Sequence, residues 1–209
     1  PKFEYASAKS GFNSIVLRVK NSASFNLPIF RKNIEKIIWA SLKLGFSWIA
    51  LRYEFSANLK FSRFCKIFPT LDESVKTRLV VENDDKKAQY SVKDLKEGIS
   101  DVIGCPVMFD YHHHWCYEDP MPVQEAFELA RSTWPKGIRQ CTHYSSCKKL
   151  HEDNSVMNRA HADYVYENIP TFGYEVDVEI EAKAKELAVL KYLEGEFPTS
   201  ISSVDSMLV

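Results

Sequence analysis

The sequence predicts an α/β fold built on parallel strands, and three observations lead there. Short apolar runs end abruptly in polar, metal-binding side chains; the clearest are Arg78-Leu-Val-Val-Glu82-Asn-Asp-Asp85 and Val107-Met-Phe-Asp110-Tyr-His-His-His-Trp115. Uninterrupted Val, Leu and Phe mark strands buried on both faces, the normal state of parallel sheet. From Phe46 onward such runs alternate with stretches of helical spacing, the pattern of βα units. Barrels and open α/β sheets carry their chemistry at the carboxyl ends of strands. Two such strands in succession therefore point to a metal site at the top of a barrel.

The elements follow in order. Lys2 to Ser7 reads as a short first strand, and Ile15 to Val19 as a second strand or a helix start. Leu27 to Leu44 has helical spacing and is closed by Gly45; Phe46 to Arg52 is a buried strand. Ala57 to Lys76 is helical with a break at Pro69, because proline lacks the N–H a helix interior needs. Arg78 to Glu82 is a strand. Ser91, with Asp94 three residues on, opens a helix as a capping-box variant. Cys105 to Asp110 is a strand after a turn at Gly104. Pro122 to Trp134 is an amphipathic helix opened by proline. Ile138 to Thr142 is a strand ending at His143, Met157 to Asn168 is helical, Tyr174 to Ile180 alternates as a strand, and Ala182 to Leu193 is a strong helix. One domain over 1–195 with a loose Ser/Thr-rich tail over 196–209 is the expected organisation.

Composition narrows the function. The chain has 209 residues, enough for a sizeable core, and its 45% hydrophobic and 26% charged content is that of a globular protein. A formal net charge of -1 leaves no bulk footprint for nucleic acid, so any DNA contact must rest on a local patch or on bound cations. Five cysteines, an odd number without a CxxC, suggest free thiols in a reducing compartment. No run is apolar enough to span a membrane and the first residues are not a signal peptide, so an intracellular protein is expected, nuclear or cytoplasmic. The opening Pro1 suggests a trimmed N-terminus.

The candidate ligands are Glu82, Asp110, His113, His143 and Glu181 at strand ends, with His161 in a following segment. Hard divalent ions need oxygen and imidazole donors converging from separate strands. Such sites polarise a phosphoryl oxygen and lower the pKa of bound water. Plainer readings stand beside this one. Glu82-Asn-Asp-Asp85 taken alone is more often a solvated loop, with Asp84 and Asp85 capping a turn. A histidine at a strand end is often only hydrogen-bonded. His112, His113 and His114 in a row favour metal or phosphate contact or form an irregular loop, and not all three can point inward, because strand side chains alternate. His151, among Lys148, Lys149, Glu152 and Asp153, reads as surface. Tyr111 and Trp115 lie beside the site and could stack on a base.

At these residues the chain resembles the UV damage endonuclease family. The segments that carry the resemblance are Arg78 to Asp85, Tyr90-Ser-Val-Lys-Asp-Leu95, Val107 to His114, Thr133-Trp134, Cys141-Thr-His-Tyr-Ser-Ser146, His161-Ala-Asp-Tyr164 and Glu181-Ala-Lys-Ala-Lys-Glu186. It is strong over Leu71 to Leu193, weaker over Asn26 to Arg52, and at the start aligns Tyr5 with a DNA-facing tyrosine. The resemblance implies a TIM-type β/α barrel, here shortened, with about six recognisable parallel strands. It implies a nuclease that cuts the backbone 5′ to UV photoproducts in excision repair, with up to three divalent ions, commonly manganese. Glu82 would then bridge two ions, Asp110, His143 and Glu181 would complete the coordination of the second ion, and His113 and His161 would hold the third. The implied partner is double-stranded DNA carrying lesions, met by a monomer with no obligate protein partner.

Two departures from the family pattern stand out. Neither its His-Pro-Gly-Gln nor its His-x-Gly-Gly motif occurs in the sequence; their histidines would hold the first ion beside Glu82. Cys141 stands where the family has a lysine that can be carboxylated and ligate metal, and a thiolate prefers softer ions than manganese. Because closure of a barrel couples strand number, tilt and shear, a shortened one closes unusually or stays open. The alternative is therefore a degenerate, inactive homologue that binds metal or DNA. A sugar isomerase-like barrel is a third reading, favoured only by a narrow buried pocket.

Overall fold

In the computed structural model, residues 61–201 are described with their side chains, and residues 3–6, 14–19, 48–53 and 60 as backbone. The whole of the helix expected over Leu27 to Leu44 and the start of the one expected from Ala57 lie outside the described residues. Seven strands lie side by side in chain order: β1 (Phe3–Ala6), β2 (Ser14–Val19), β3 (Trp48–Tyr53), β4 (Leu79–Glu82), β5 (Val107–Asp110), β6 (Gln140–Tyr144) and β7 (Val176–Ile180). From β2 to β7 every neighbouring pair is parallel, whereas β1 runs antiparallel to β2. Among the described residues β7 does not pair with β1. The fold is an incomplete β/α barrel, with seven strands among the described residues against the eight of a full one.

Strands β4, β5 and β6 are buried along their whole length, which is why β4 and β5 read as apolar runs up to their terminal acids; β6 is buried although Gln140, Thr142 and His143 are polar. Their side chains still alternate between two faces. Leu79, Val81, Val107, Phe109 and Tyr144 join the main core with Phe64, Leu95 and Phe127. On the other face Val80, Met108 and Cys141 form a second cluster with Trp134. The same two-residue period puts Glu82, Asp110 and His143 one step further along that second face. Register then sets Asp110 beside His143, and His143 beside Glu179 of β7.

The helices follow their sequence signals. Helix α1 (Lys60–Ile67) gives way to a 3-10 turn (Phe68–Thr70) at Pro69, then to α2 (Glu73–Lys76), capped by Asp72. Ser91 and Asp94 make both bonds of the capping box that starts α3 (Val92–Leu95). The helix continues through a π-helical turn (Lys96–Ser100) into α4 (Asp101–Ile103), and Gly104 stops it at φ 72°, where a side chain would be strained. Helix α5 (Tyr111–Tyr117) springs directly from β5; α6 (Val123–Arg131), α7 (Lys148–His151) and α8 (Glu186–Leu193) follow. No helix among the described residues is long and apolar enough to cross a membrane.

Three expectations are corrected here. Met157 to Asn168 is not helical but a chain of turns with one bridge between Cys147 and His161. Its carbonyls serve other partners: the Asn158 oxygen accepts from the His112 ring at 2.8 Å and from Cys147 Sγ at 3.2 Å. The last predicted helix begins only at Glu186, because the Lys183 and Ala184 N–H groups donate to Ala162 O and Asp163 O. His151 is no surface residue; it is 7% exposed, stacked on Tyr166 and bonded to Ser200. Within the predicted tail, Ile201 N donates to His151 O at 3.0 Å.

Candidate metal centre

Glu82 is the hub. It ends β4, is buried, and sets Oε1 3.0 Å from His113 Nδ1 and 3.1 Å from His143 Nδ1. Its Oε2 is buried with no hydrogen-bond partner. Asp110 ends β5 and works in two directions. Oδ1 accepts from His113 N at 2.8 Å and so caps α5, while Oδ2 lies 3.1 Å from His113 Nδ1. Asn83 fixes the hinge between the two strands: its amide donates to Asp110 O at 3.0 Å, and its Oδ1 accepts from Asp110 N at 2.8 Å.

The Asp110 cap explains why the histidine run is a helix and not an extended loop. In consequence His112, His113 and His114 are all buried, against the alternation expected of a strand. They have separate tasks. His112 bonds Ser145 Oγ at 3.0 Å and Asn158 O at 2.8 Å, and His114 bonds Met121 O at 2.9 Å, so both are structural. His113 alone of the three turns to the carboxylates, with Asn83 O 2.9 Å from its Nδ1. Donation from Nδ1 to that carbonyl leaves the lone pair on Nε2. His161 repeats the device, with Nδ1 2.9 Å from Glu181 O.

His143, fully buried in β6, faces Glu82 Oε1 (3.1 Å), Glu181 Oε1 (3.8 Å) and Asp110 Oδ2 (3.9 Å) with Nδ1. Its Nε2 lies 2.8 Å from Glu179 Oε2. Two groups of potential ligands result, each with one ligand atom per residue within 4.8 Å of the others: Glu82, Asp110 and His113, and Asp110, His143 and Glu181. Asp110 belongs to both. His161 joins neither group but borders the second, 3.6 Å from Glu181 Oε2.

Burial and mutual charge set the protonation of the cluster. Burial pushes Glu82 up, but His143 and His113 beside it hold it well below the usual carboxylate range. Burial presses His143 down, yet Glu82 and Glu179 keep it well above an ordinary histidine. Asp110 is pushed up to about 7 by burial, with the neighbouring Glu82 and Glu181 charges adding to the rise despite His113. So many buried carboxylates need positive charge nearby. The imidazolium of His143 supplies it in the metal-free protein, and the unpartnered Oε2 of Glu82 is a buried acceptor that a cation would satisfy. A divalent ion must displace these protons. Affinity for Mn2+ is therefore expected to rise with pH through about 7, where Asp110 ionises, and to keep rising above it against the His143 proton, with about two protons released per ion at low pH and about one once Asp110 is ionised. Calorimetry at low and high pH in buffers of different ionisation heat measures both.

The remaining predicted residues divide. Glu82, Asp110, His113, His143 and Glu181 meet, although Glu82-Asn-Asp-Asp85 could have been a solvated loop; its first three residues are buried. Tyr111 is not available to stack on a base. It is 2% exposed, packs edge-on against Phe109 and Tyr144, and donates to Pro170 O. Trp115 is half-buried and stacked on His112. The side chain of Tyr5 lies outside the described residues. Cys141 is buried against Val80, Met108 and Trp134, and burial pushes its thiol up to about 12, so it enters neither ligand group. All five cysteines are free. Sequence reasoning passed over Asn83 and Glu179. The alternation of Asp177, Glu179 and Glu181 on one face of β7 was the signal for the latter.

Comparison with known proteins bears on this geometry. The chain is 36% identical over 135 residues to a "UV-damage endonuclease" of Schizosaccharomyces pombe, covering 62% of this chain and 22% of that protein. It is 33% identical over 135 residues to a "UV DNA damage endonuclease" of Clostridium perfringens, covering 61% and 31%. A solved structure described as "Crystal Structure of SacUVDE" superimposes with a TM-score of 0.67 at 29% identity, covering 82% of this chain and 60% of that one. The matched region thus spans well under half the length of these curated relatives. A family model described as UV-endonuclease UvdE matches residues 54–208, most of the chain and the whole of the metal centre. The chain belongs to the UV-endonuclease UvdE family.

Proposed function

We propose that this protein is a metal-dependent DNA repair endonuclease that nicks the backbone 5′ to UV photoproducts. The observation that carries the reading is the convergence of Glu82, Asp110, His113, His143 and Glu181 at the carboxyl ends of neighbouring strands, with a buried carboxylate oxygen of Glu82 left unpartnered. Relatives named for action on UV-damaged DNA support it. Divalent ions, manganese by resemblance and up to three, would supply Lewis acidity toward phosphate and a water ionised near neutral pH. Asp110, which belongs to both ligand groups, and Glu82, whose Oε1 lies beside both His113 and His143, would hold neighbouring ions. His143 and Glu181 would complete one coordination shell, and His113 and His161 would present Nε2 to another.

The chain's own residues would do the positioning. Asn83 locks the ends of β4 and β5 together, so the carboxylates keep their spacing when the phosphate enters. Trp115, and Tyr5 if it faces the groove, would contact double-stranded DNA carrying the lesion, with damaged steps costing least to unstack. The protein would act as a monomer, and its DNA affinity would fall with salt.

Incision of a UV-irradiated, end-labelled duplex in the presence of Mn2+ tests the proposal. Expected is a single-strand nick on the 5′ side of the photoproduct, lost on chelation and absent from unirradiated duplex. Binding of Mn2+ without nicking would instead identify an inactive homologue that binds metal or DNA.

A further inference from the structure

We propose that Glu179 is a positioning residue of the metal centre: its carboxylate holds the proton of His143 on Nε2 and thereby dedicates Nδ1 to the ligand cluster. The inference rests on reading that cluster as a divalent-cation site.

The geometry is specific to this imidazole. His143 is fully buried between two sets of acids, with Glu179 Oε2 2.8 Å from Nε2 on one side and Glu82, Glu181 and Asp110 within 3.9 Å of Nδ1 on the other. A neutral imidazole has one N–H and one lone pair. In the metal-free protein both ring nitrogens face carboxylates, Glu82 Oε1 at 3.1 Å and Glu179 Oε2 at 2.8 Å, so the ring carries both protons. Once a cation takes the Nδ1 side, the one remaining N–H belongs on Nε2, because a bare Nε2 would set its lone pair against a carboxylate. With the proton on Nε2, Glu179 accepts it and the Nδ1 lone pair points at the group of Asp110, His143 and Glu181. His113 and His161 are oriented by backbone carbonyls, Asn83 O and Glu181 O. For His143 the orienting partner at Nε2 is a charged side chain, and such a carboxylate also makes the ring a stronger donor to metal.

The contact is built into the sheet. His143 and Glu179 are direct neighbours in the register of β6 and β7, so strand pairing and not a loop sets their separation. Glu179 points to the same face as Asp177 on its strand, and its side chain is 14% exposed, which shields the bond from water. Glu179→Gln keeps the shape but removes the charge and can present N–H as readily as oxygen to Nε2.

The test combines calorimetry with Mn2+ and proton NMR of the histidine rings, on the full chain. In the parent protein a low-field, slowly exchanging Nε2–H resonance of His143 is expected in both metal-free and Mg2+-loaded forms. In Glu179→Gln that resonance should move upfield or vanish, and Mn2+ affinity should fall by about 10- to 100-fold, while the metal-free protein loses stability because the buried His143 imidazolium keeps one fewer carboxylate partner. Glu179→Asp, which keeps the charge, should recover part of both signals. Unchanged resonance and unchanged affinity in Glu179→Gln would overturn the inference. If the parent protein binds no Mn2+ at all, the cation-site reading fails by itself, and the resonance of the metal-free protein still decides what Glu179 does to His143.

Discussion

Substitution of Glu82 by Gln is expected to produce a protein that binds Mn2+ more than about 100-fold less tightly, since loss of an outer partner alone weakens metal sites by up to that much. Nicking should fall below detection. The same change should be felt in the metal-free fold. Glu82 Oε1 sits between His113 Nδ1 and His143 Nδ1, all three groups buried. Removing one charge from a buried pair strands the other, at a cost of about 3 kcal/mol. Chemical denaturation of the metal-free variant measures this term, and calorimetry with Mn2+ measures the first. A variant that lost nicking alone, with affinity and stability intact, would show Glu82 to act on substrate and not on ions.

Asp110 is expected to separate stability from metal binding. Asp110→Asn keeps a side-chain oxygen for the His113 N–H, and Asn caps helices as well as Asp. It also removes a carboxyl group that burial, Glu82 and Glu181 push up to about 7. Below that value the folded protein holds a proton that the unfolded chain gives up near pH 4, so parent stability falls as pH rises between the two. The Asn variant should lack this decline, and at pH 8 should be at least as stable as the parent while failing to bind Mn2+. Asp110→Ala should fail on both counts, losing about 1 kcal/mol with the cap. Melting curves at pH 6 and 8, paired with calorimetry, distinguish the three proteins.

Much of the architecture was legible because the parallel strands are buried on both faces. Leu79 to Val81 and Val107 to Phe109 could be nothing but interior, and the polar residues that end them fell where a barrel keeps its ligands. Capping chemistry was legible for the same local reason at Ser91 and Asp94. What escaped depended on partners far along the chain. Tyr111 looked like a site residue by adjacency, but as the first residue of α5 it turns back onto Phe109 and Tyr144. The helical spacing of Met157 to Asn168 was overridden by side chains from α5 and the β6–α7 loop that claim the Asn158 carbonyl. Burial of His112, His113 and His114 together required one cap at Asp110 to convert an apparent loop into a helix. Asn83 and Glu179 act through neighbours on adjacent strands, a relation that appears only once register is fixed.

On the proposed reading, acids and imidazoles from β4, β5, α5, β6 and the end of β7 share divalent cations. Anomalous diffraction at the manganese edge from crystals soaked in Mn2+ addresses it directly. The prediction is a peak at about 2.0–2.6 Å from a carboxylate oxygen of Glu82 and of Asp110, with His113 or the pair of His143 and Glu181 completing the shell. Peaks confined to surface carboxylates, with Glu82 Oε2 still unpartnered in a fully soaked crystal, would contradict it.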